Sequence, residues 1–455
     1  MFKRIQKIHF VGIGGVGMSG IAEVLLNQGY SVSGSDVRHS FTTQRLASIG
    51  AIIYEGHHAE HLKNVDVVVI SSAIKPSNPE VVEAQLRQIP LIPRAEMLAE
   101  LMRSKYGITV AGTHGKTTTT SMVAVMLQRA GMDPTVVVGG RLNALGSNAK
   151  LGTGDFMVVE ADESDRSFLL LSPTLAIVTN IDEDHMESYE GIEDLKDAFV
   201  HFMNKVPFYG TVILCLDDPY LQSLIPRIRR RILSYGFSGQ ADMNILTPSF
   251  AGFRSHFQLR LRGEALGDFQ LGIPGKHNVL NAAAAVAVGI DLGIPVETLK
   301  EALNSFSGAD RRFQIKGQAC GVTVIDDYAH HPTEVKATLE AARQLGDQRI
   351  VVVFQPHRYT RTQYCFDEFA RSFYQADVLI VTDIYAAGEE PIEGVSAHKL
   401  VEAIKSFGHK NARHVPALMD IPTVLHPELK EGDLVISMGA GNIWKVSEEL
   451  LHRLQ

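Results

Sequence analysis

The chain has 455 residues, of which 45% are hydrophobic and 21% charged, and its formal net charge is -8. These values are ordinary for a soluble globular protein of about two to four domains, and the acidic balance argues against a nucleic-acid partner. No run approaches the roughly 18 apolar residues of a membrane span. Three widely separated cysteines predict neither disulfides nor a zinc site and fit a cytoplasmic location.

The first hundred residues carry a dinucleotide-type glycine loop. A predicted strand at Lys7–Val11 precedes Gly12-Ile13-Gly14-Gly15-Val16-Gly17, and a helix is expected from Met18 to Gln28. The second strand ends at Asp36, the acid that completes this fingerprint. The pattern favours an NAD-dependent enzyme, but a UDP-sugar also carries a pyrophosphate and a ribose, so both ligands stay open.

A later strand of the same region ends in hydroxyl groups. The buried stretch Asp66–Ile70 leads into Ser71 and Ser72, at a strand end where open α/β sheets bind ligands. The alternative is simple turn chemistry. A proline-marked linker at Ile89–Pro93 and a helix at Ala95–Met102 are expected to end this unit near residue 105.

A second glycine loop opens the next region. Gly112-Thr113-His114-Gly115-Lys116-Thr117-Thr118 lies between a predicted strand, Ile108–Val110, and a predicted helix, Thr119–Ala130. Loop amides, a helix start and a lysine together are typical of a triphosphate site, with the hydroxyl of Thr117 available to magnesium. Only two residues separate the glycines, where the usual motif has four. The alternative is a helix N-terminus with a surface lysine.

Two further strands lead into side chains that can bind metal ions. The stretch Phe156–Val159 ends at Glu160, and Leu175–Val178 leads to a polar run that ends with Asp184 and His185. Both ends are expected at the same sheet edge as the second glycine loop. Carboxylate oxygens suit magnesium, whereas an isolated Asp-His pair more often caps a turn. The combination favours a metal.

Beyond residue 240 the pattern changes twice. Residues 241–273 alternate apolar and polar side chains, which predicts antiparallel strands with one wet face. An alanine-rich helix follows, and Asn278 and Asn281 share one face of it. These two amides could recognise a base edge or could cap the first helical turn.

The last third predicts another open α/β sheet. A hinge is expected at Ser307–Phe313, and a strand at Val322–Ile325 leads to Asp327. Further strands alternate with helices at Arg349–Phe354, Asp377–Val381 and Asp433–Ser437. The arginines of Pro356-His357-Arg358-Tyr359-Thr360-Arg361 could form a fork for a carboxylate.

Taken together, these motifs resemble the Mur ligase family over nearly the whole chain. The matching segments are GIGGVGMSGIA, SGSD, SSAI, GTHGKTTTT, EADESDRSF, TNIDEDH, GKHNVLNA, DRRF, DDYAHHPTEV, FQPHRYTR and GAGN. The short phosphate loop, which departs from ordinary P-loop proteins, is this family's own form.

The resemblance implies an α/β protein of three domains. Residues 1–105 would form a Rossmann-like domain for the UDP-sugar. Residues 106–308 would form a P-loop ATPase-type α/β domain with added antiparallel strands. Residues 309–455 would form a Rossmann-like α/β domain that closes on ATP and the amino acid.

The resemblance also assigns residues to each ligand. ATP would be bound by Gly112, Thr113, His114, Gly115, Lys116, Thr117, Thr118, Asn278, Asn281, Arg312, Asp327 and His330. Magnesium, as two ions, would be held by Thr117, Glu160 and His185. Catalysis would depend on Lys116, Glu160, His185, Arg312 and Asp327. The UDP-sugar would contact Gly14, Gly15, Val16, Gly17, Asp36, Ser71 and Ser72. The amino acid would contact Tyr328, His357, Arg358 and Arg361.

The implied reaction is an ATP-dependent ligation in peptidoglycan precursor synthesis. L-alanine would be joined to the lactyl carboxylate of UDP-N-acetylmuramate through an acyl phosphate, giving ADP and phosphate. We expect a monomer or weak homodimer without nucleic-acid or membrane partners. The alternatives are a family member that adds a different amino acid or a recycled tripeptide, and an NAD-dependent oxidoreductase, which would leave residues 106–185 unexplained.

Overall fold

The computed structural model describes residues 5–71, 73–142 and 147–455. Its first sheet and the accompanying helices are β1 (Lys7–Val11), α1 (Val16–Asn27), β2 (Ser31–Asp36), α2 (Phe41–Ser48), β3 (Ile52–Glu55), β4 (Val67–Ile70), α3 (Pro79–Leu86), β5 (Leu91–Pro93) and α4 (Arg94–Met102). The strands are all parallel, in the order β3-β2-β1-β4-β5. The chain order reverses at β1, so the loop after β1 lies where such sheets bind ligands.

One expectation for this region is wrong. The stretch Ile89–Pro93 was expected to be a linker, but Leu91–Pro93 pairs with β4 as the edge strand β5. An edge position explains how a proline is tolerated, since Pro93 has no N–H to donate to a neighbouring strand.

In the described part of the chain, the central sheet has ten strands. Its elements are β6 (Tyr106–Ala111), α5 (Lys116–Arg129), β7 (Thr135–Leu142), β8 (Ser147–Lys150), β9 (Phe156–Glu160), β10 (Leu175–Val178), α6 (Ile192–Asn204), β11 (Thr211–Cys215), α7 (Pro219–Leu224), β12 (Arg231–Gly236), β13 (Met243–Ala251), β14 (Arg254–Leu261), β15 (Glu264–Leu271), α8 (Lys276–Asp291) and α9 (Val296–Ser305). The strand order is β15-β14-β13-β12-β11-β10-β6-β9-β7-β8.

The position of β6 in this sheet decides what surrounds the phosphate loop. Strand β6 lies between β10 and β9 and is parallel to both. The polar ends of those two strands therefore flank the loop that follows β6, as the sequence predicts. Strands β13, β14 and β15 are joined by two-residue turns, which connect only antiparallel neighbours. The added antiparallel strands are thus present.

The third sheet has six strands. Its elements are β16 (Gln314–Ala319), β17 (Val322–Asp327), α10 (Pro332–Arg343), β18 (Ile350–Phe354), α11 (Tyr359–Tyr364), α12 (Phe366–Ala370), β19 (Val378–Val381), α13 (Ala397–Ser406), β20 (Ala412–His414), α14 (Ile421–Leu425), β21 (Leu434–Met438) and α15 (Trp444–Leu454). The order is β16-β17-β21-β18-β19-β20, and only the β16–β17 pair is antiparallel among the described pairings.

Contacts between Cα atoms divide the chain into two compact units. Residues 1–246, 258–267 and 280–306 form the first unit, and residues 247–257, 268–279 and 307–455 form the second. The five-stranded sheet and strands β6–β12 belong to the first unit. The six-stranded sheet belongs to the second. The three domains expected from the sequence correspond to the three sheets, while their boundaries near residues 105 and 308 stay a prediction.

Candidate functional site

The phosphate loop follows β6 and ends where α5 begins. Gly112 has a φ of +123° and Gly115 a φ of +82°, values that side chains rarely allow. A Cβ on Gly115 would also stand 2.5 Å from Oδ1 of Asn281. Only glycine lets the backbone turn this tightly before Lys116, the first residue of the helix.

Substituting Gly112 should show how strict this requirement is. A Cβ there would stand 2.2 Å from Oγ1 of Thr179 and 2.9 Å from the carbonyl oxygen of Asn180. We expect Gly112→Ala to lower the free energy of unfolding by more than about 2 kcal/mol, measured by urea denaturation. Gly239→Ala is the matched control, because nothing lies within 4 Å of its added methyl group. Equal stabilities of the two variants would contradict the strained loop.

The end of β10 holds the phosphate loop in shape. Oδ1 of Asn180 accepts the backbone N–H of His114 at 2.8 Å, and Oγ1 of Thr179 donates to the His114 carbonyl at 2.6 Å. Nε2 of His114 lies 2.8 Å from Oδ2 of Asp182, and the Asp182 N–H donates to Oγ1 of Thr113 at 2.9 Å. The predicted loop residues Thr113 and His114 thus face the neighbouring strand end.

Lys116 is the centre of charge at this loop. Its ammonium group donates to the carbonyls of Gly112 at 2.7 Å and Thr113 at 3.1 Å, and to Oε1 of Glu163 at 2.8 Å. Burial opposes the charged ammonium, yet the carboxylates of Glu163, Asp162 and Glu160 outweigh it and raise the pKa of Lys116. The lysine is therefore a firmly charged cation next to the loop.

Glu163 is a residue of this site to which sequence reasoning gave no role. It is 1% exposed, and its Oε2 atom has no hydrogen-bond partner among the described residues. Burial, followed by the neighbouring charge of Asp162, raises the pKa of Glu163 against the lowering effect of Lys116. A buried carboxylate with one unpartnered oxygen is unusual in a folded protein, which makes Glu163 a candidate for a functional role.

Thr117 and Glu160 form a compact oxygen cluster next to the lysine. Oγ1 of Thr117 lies 3.0 Å from both carboxylate oxygens of Glu160, and the Gly139 N–H donates to Oε2 of Glu160 at 2.7 Å. Three oxygen atoms are thereby gathered at the phosphate loop. Hard oxygen donors of this kind are the ligands that magnesium prefers.

His185, the third predicted metal ligand, lies after the end of β10. It has a φ of +58° and lies directly before a short 3-10 helix, Met186–Ser188. Its Nε2 lies 3.6 Å from Oδ2 of Asp184, and its Nδ1 lies 3.8 Å from Oε1 of Glu187. The imidazole also helps to lower the pKa of Glu163, so it belongs to the electrostatic surroundings of the loop.

Three other residues of the central region are predicted to contact ATP, namely Thr118, Asn278 and Asn281. Thr118 is buried in the first turn of α5. On α8, Asn278 donates from Nδ2 to the carbonyl of Pro274 at 2.6 Å, whereas a cap of the first helical turn would accept an N–H. The amide of Asn281 lies next to Gly115. Recognition of a base edge by these two amides stays a prediction.

The glycine loop of the first sheet is held by Asp36. The Gly14 N–H donates to Oδ2 of Asp36 at 2.8 Å, and a Cβ on Gly14 would stand 2.8 Å from the same atom. Gly15 precedes α1, which starts at Val16. The acid expected to face a ribose thus also fixes the loop.

Two other predicted positions flank the same loop. Oγ of Ser71 lies 3.9 Å from the place of a Cβ on Gly12, and the Ser71 carbonyl accepts the Ile74 N–H at 3.1 Å. Ser71 thus combines a turn role with a place beside the loop. Ser72 and the side chain of Val16 lie outside the described part of the structure.

Arg94 connects the two loops and was missed by sequence reasoning. A Cβ on Gly17 would stand 2.2 Å from Nη1 of Arg94, so the last glycine of the motif makes room for this side chain. Nη2 of Arg94 donates to Oδ2 of Asp162 at 3.4 Å. The arginine thus lies between Gly17 and Asp162, an acid that follows β9 and helps to raise the pKa of Lys116. Its only sequence signal is its place directly after Pro93.

Several predicted residues of the second unit lie in a group of aromatic rings, in which two pairs meet edge to face and one pair is stacked. The rings of Tyr328 and His330 are 5.2 Å apart, those of His330 and His357 are 5.8 Å apart, and His357 stacks on Tyr385 at 5.6 Å. Nη1 of Arg361 donates to Nδ1 of His357 at 3.3 Å. Four residues assigned by resemblance to ATP or the amino acid are therefore neighbours.

The hinge arginines differ in what they contact. Arg311 donates to Oδ2 of Asp326 at 2.9 Å and to the carbonyls of Gly439 at 2.6 Å and Gly441 at 3.1 Å, so it fastens the third sheet. The predicted residue Arg312 instead lies 3.5 Å from Glu334. Both guanidinium groups lie 5.0 Å from the ring of Tyr328. Arg358 occupies the N-cap position just before α11 and has a φ of +69°.

Asp327 is fully enclosed at the end of β17. Its carboxylate accepts the N–H groups of Phe313 and Ala329, each at 2.7 Å. Burial raises the pKa of Asp327 to about 6, against the lowering influence of Arg312 and of those two N–H groups. The side chain therefore links the hinge to the strand and changes its charge close to neutral pH.

The raised pKa of Asp327 predicts a pH-dependent stability. Because the folded-state pKa of about 6 lies above 3.8, the folded chain binds the proton more tightly than the unfolded chain. Relative to Asp327→Asn, the wild type should be most stable below about pH 4. It should lose up to about 3 kcal/mol as the pH rises through 6. Urea denaturation of both proteins across this range measures the difference, and a pH-independent difference would contradict the buried titration.

Comparison with known protein families agrees with this arrangement. Residues 7–106 match the model described as Mur ligase family, catalytic domain, and residues 110–289 match the Mur ligase middle domain. Residues 311–441 match the Mur ligase, glutamate ligase domain. The chain belongs to the Mur ligase family. The resemblance predicted from the sequence and the three-domain α/β fold are both confirmed.

Individual relatives within this family are similar over their full length. A UDP-N-acetylmuramate–L-alanine ligase of Geobacter sp. strain M21 is 57% identical over 456 residues, covering 100% of this chain and 99% of that protein. The ligase of that name from Geobacter sulfurreducens is 54% identical over 457 residues, with the same coverage of both chains.

Solved Mur ligase structures give the same picture. The UDP-N-acetylmuramate-alanine ligase of Thermotoga maritima superimposes with a TM-score of 0.85 at 31% identity, covering 98% of each chain. A murein peptide ligase of Psychrobacter arcticus gives a TM-score of 0.72 at 26% identity, covering 99% of this chain and 98% of that one. Among the residues that the structure describes, no helix has the length and apolar character to span a bilayer.

Membership in the Mur ligase family also decides between the early alternatives. The short loop at Gly112–Thr118 lies at the start of the Mur ligase middle domain, and the Lys116 side chain is only 14% exposed, which argues against a surface lysine. Phosphate binding by this loop stays a prediction. The first glycine loop belongs to the same ligase, which argues against the NAD-dependent oxidoreductase.

Proposed function

We propose that this chain joins L-alanine to the lactyl carboxylate of UDP-N-acetylmuramate, converting ATP to ADP and phosphate, in peptidoglycan precursor synthesis. The observation that carries the proposal is full-length identity of 57% to ligases named for this substrate and amino acid. The TM-score of 0.85 to a solved enzyme of the same name supports it.

We assign the terminal phosphates of ATP to Lys116 and the amides of the loop Gly112–Thr118. The ammonium group is held by Glu163 and by two loop carbonyls, so a phosphate would replace these partners with its own oxygens. Glu163 would then lose the cation that lowers its pKa, while burial continues to raise it. Phosphoryl transfer needs positioning and charge neutralisation more than covalent help from the protein.

A magnesium ion fits the oxygen cluster of Thr117 and Glu160, and the chemistry of its donors supports this assignment. The hydroxyl and both carboxylate oxygens lie within 3.0 Å of one another across the pair. When bound, magnesium neutralises the charge of the transferring phosphoryl group. We propose that His185 belongs to the shell of a second ion, with Asp184 and Glu187 as its neighbours.

Activation of the lactyl carboxylate is the chemical purpose of the nucleotide site. A free carboxylate is a poor acylating agent, because its leaving group would be an oxide. Transfer of the γ-phosphoryl group to a carboxylate oxygen breaks the bond to ADP and forms an acyl phosphate. The amine of L-alanine then attacks the carbonyl carbon, phosphate leaves, and the amine gives up a proton.

The remaining ligands are assigned to the two flanking domains. The UDP-sugar would contact Asp36, Gly14, Gly15, Val16, Gly17, Ser71 and Ser72. In the last domain, L-alanine would contact Tyr328, His357, Arg358 and Arg361. The ATP site would be completed by Arg312, Asp327 and His330. Arginine next to stacked rings suits a carboxylate, since its guanidinium can bind both oxygens.

We also propose the setting in which the enzyme works. The three domains would span residues 1–105, 106–308 and 309–455, and the enzyme would act in the cytoplasm as a monomer or weak homodimer. Sedimentation velocity across a concentration series tests the oligomeric state. Cell fractionation tests the location, and recovery of the activity with the membranes would contradict it.

Product analysis by mass tests the reaction directly. The purified chain is incubated with UDP-N-acetylmuramate, ATP, Mg²⁺ and one amino acid at a time, with the recycled tripeptide as a separate arm. We expect a sugar nucleotide heavier by one alanyl residue, and ADP release that stops when L-alanine is omitted. Equal turnover with the tripeptide would identify a recycling ligase instead, and turnover with another amino acid a different member of the family.

A further inference from the structure

The first sheet contains a buried acid that none of the assigned ligand sites uses. Glu80 is completely buried in the first turn of α3, where the side chain of Asn78 caps its N–H at 2.9 Å. A carboxylate at a helix start is favoured by the local dipole, but full burial of a charge requires further partners. We propose that Glu80 is a positioning residue for the sugar nucleotide, an inference that rests on the proposed function.

Three histidines and a serine supply those partners. Oε1 of Glu80 lies 2.7 Å from Nδ1 of His61 and 3.3 Å from Nε2 of His9. Oε2 lies 3.1 Å from Nδ1 of His57 and accepts the hydroxyl of Ser35 at 2.6 Å. We call these five residues the Glu80 cluster.

Hydrogen bonding keeps the acid of this cluster ionised. Burial alone would raise the pKa of Glu80, but the nearby His9 imidazole and the contacts from Ser35 and His61 outweigh it and lower the pKa to about 2. The other ring nitrogen of His9 lies 2.9 Å from the hydroxyl of Ser33, so that serine can orient the imidazole toward Glu80. The cluster is thus a fixed charge with an ordered set of donors.

Ser35 connects this cluster to the glycine loop. Its hydroxyl binds Glu80, while its carbonyl accepts the N–H groups of Gly12 at 2.8 Å and Ile13 at 3.0 Å. The next residue is Asp36, whose carboxylate accepts the N–H of Gly14. Glu80 therefore fixes the strand end on which the whole first turn of the loop depends.

His57 extends the same connection to the end of β3. Its Nδ1 lies 2.9 Å from Oγ of Ser35 as well as near Glu80. The ring of Tyr54 stacks on His61 at 4.1 Å, and His58 meets the edge of His61 at 5.4 Å. One carboxylate thereby contacts residues at the ends of β2 and β3 and at the start of α3. These contacts lie next to the loop that is assigned to the pyrophosphate.

The test is a double-mutant cycle on Glu80→Gln and Ser35→Ala. We expect each single variant to weaken binding of UDP-N-acetylmuramate about 10-fold by isothermal titration, with the KM for ATP unchanged. If Glu80 acts through Ser35, the double variant should bind no more weakly than either single variant. Glu83→Gln on the same helix removes only a pair with Arg87 and is the control expected to bind like the wild type.

The outcomes separate this inference from the proposed function. Failure of the wild type to bind UDP-N-acetylmuramate would overturn the proposed function. Normal binding by the wild type and by Glu80→Gln would overturn only the positioning role. Additive losses in the double variant, or a parallel rise in the KM values of both nucleotides, would show general structural damage instead. Thermal unfolding of each variant confirms that the compared proteins are folded.

Discussion

Replacing Lys116 by methionine should abolish ADP formation and leave binding of UDP-N-acetylmuramate nearly intact. The ammonium group is the cation that lies within hydrogen-bond distance of the loop carbonyls of Gly112 and Thr113. Removing a preorganised charge of this kind lowers turnover by roughly 10³-fold, about 4 kcal/mol. Steady-state ADP release measures the loss, and titration calorimetry measures the sugar nucleotide. Lys300→Met, which removes a surface pair with Glu297, is the control.

Glu163, the buried partner of Lys116, affects the stability of this variant and also provides a way to separate stability from activity. Lys116→Met leaves Glu163 buried without its cation, and breaking a buried pair in this way can cost about 3–5 kcal/mol of stability. The double variant Lys116→Met/Glu163→Gln removes both charges and should regain most of that stability. It should remain inactive. Recovery of ADP formation in the double variant, or loss of sugar-nucleotide binding in folded Lys116→Met, would contradict the assignment.

The sequence predicts the sheets well because their strands are buried runs with clear ends. The predicted strands at Lys7–Val11 and Leu175–Val178 have the observed bounds, and the sheet order places β10 and β9 beside β6 as expected. Strand β17 runs on to Asp327, two residues past the expected end at Ile325. The pattern failed there because acids in a strand look like the start of a loop.

The missed site residues share a physical reason. Each of them contacts a partner that is far away in the sequence. Glu163 contacts Lys116, 47 positions away, and Arg94 contacts Asp162, 68 positions away. Glu80 contacts His9, 71 positions away. A single sequence shows residue types and spacing but not which distant side chains meet. Periodicity alone places Glu80 in the first turn of a helix, where an acid is ordinary. Its burial against three histidines emerges only from the packing of α3 on the sheet.

Glu160→Gln should raise the magnesium concentration required for half-maximal activity by roughly 10- to 100-fold and lower the turnover number. The substitution keeps the size of the side chain but removes its charge. The new amide can accept the Gly139 N–H with its oxygen and donate from its NH₂ group to the Thr117 hydroxyl, so the hydrogen bonds of this side chain can be kept while its charge is lost. Activity measured across a magnesium titration at saturating ATP gives both effects.

Two further variants make this prediction specific to the metal. Thr117→Val keeps the shape of α5 but removes the hydroxyl, so it should shift the magnesium requirement in the same direction by a smaller factor. Glu297→Gln, an exposed acid of α9 paired with Lys300, should leave the titration unchanged. A large fall in turnover with an unaltered magnesium requirement would mean that Glu160 acts by holding strand β7 through the Gly139 N–H. Because the carboxylate holds that N–H at 2.7 Å, the magnesium titration, and not the activity alone, decides between the two roles.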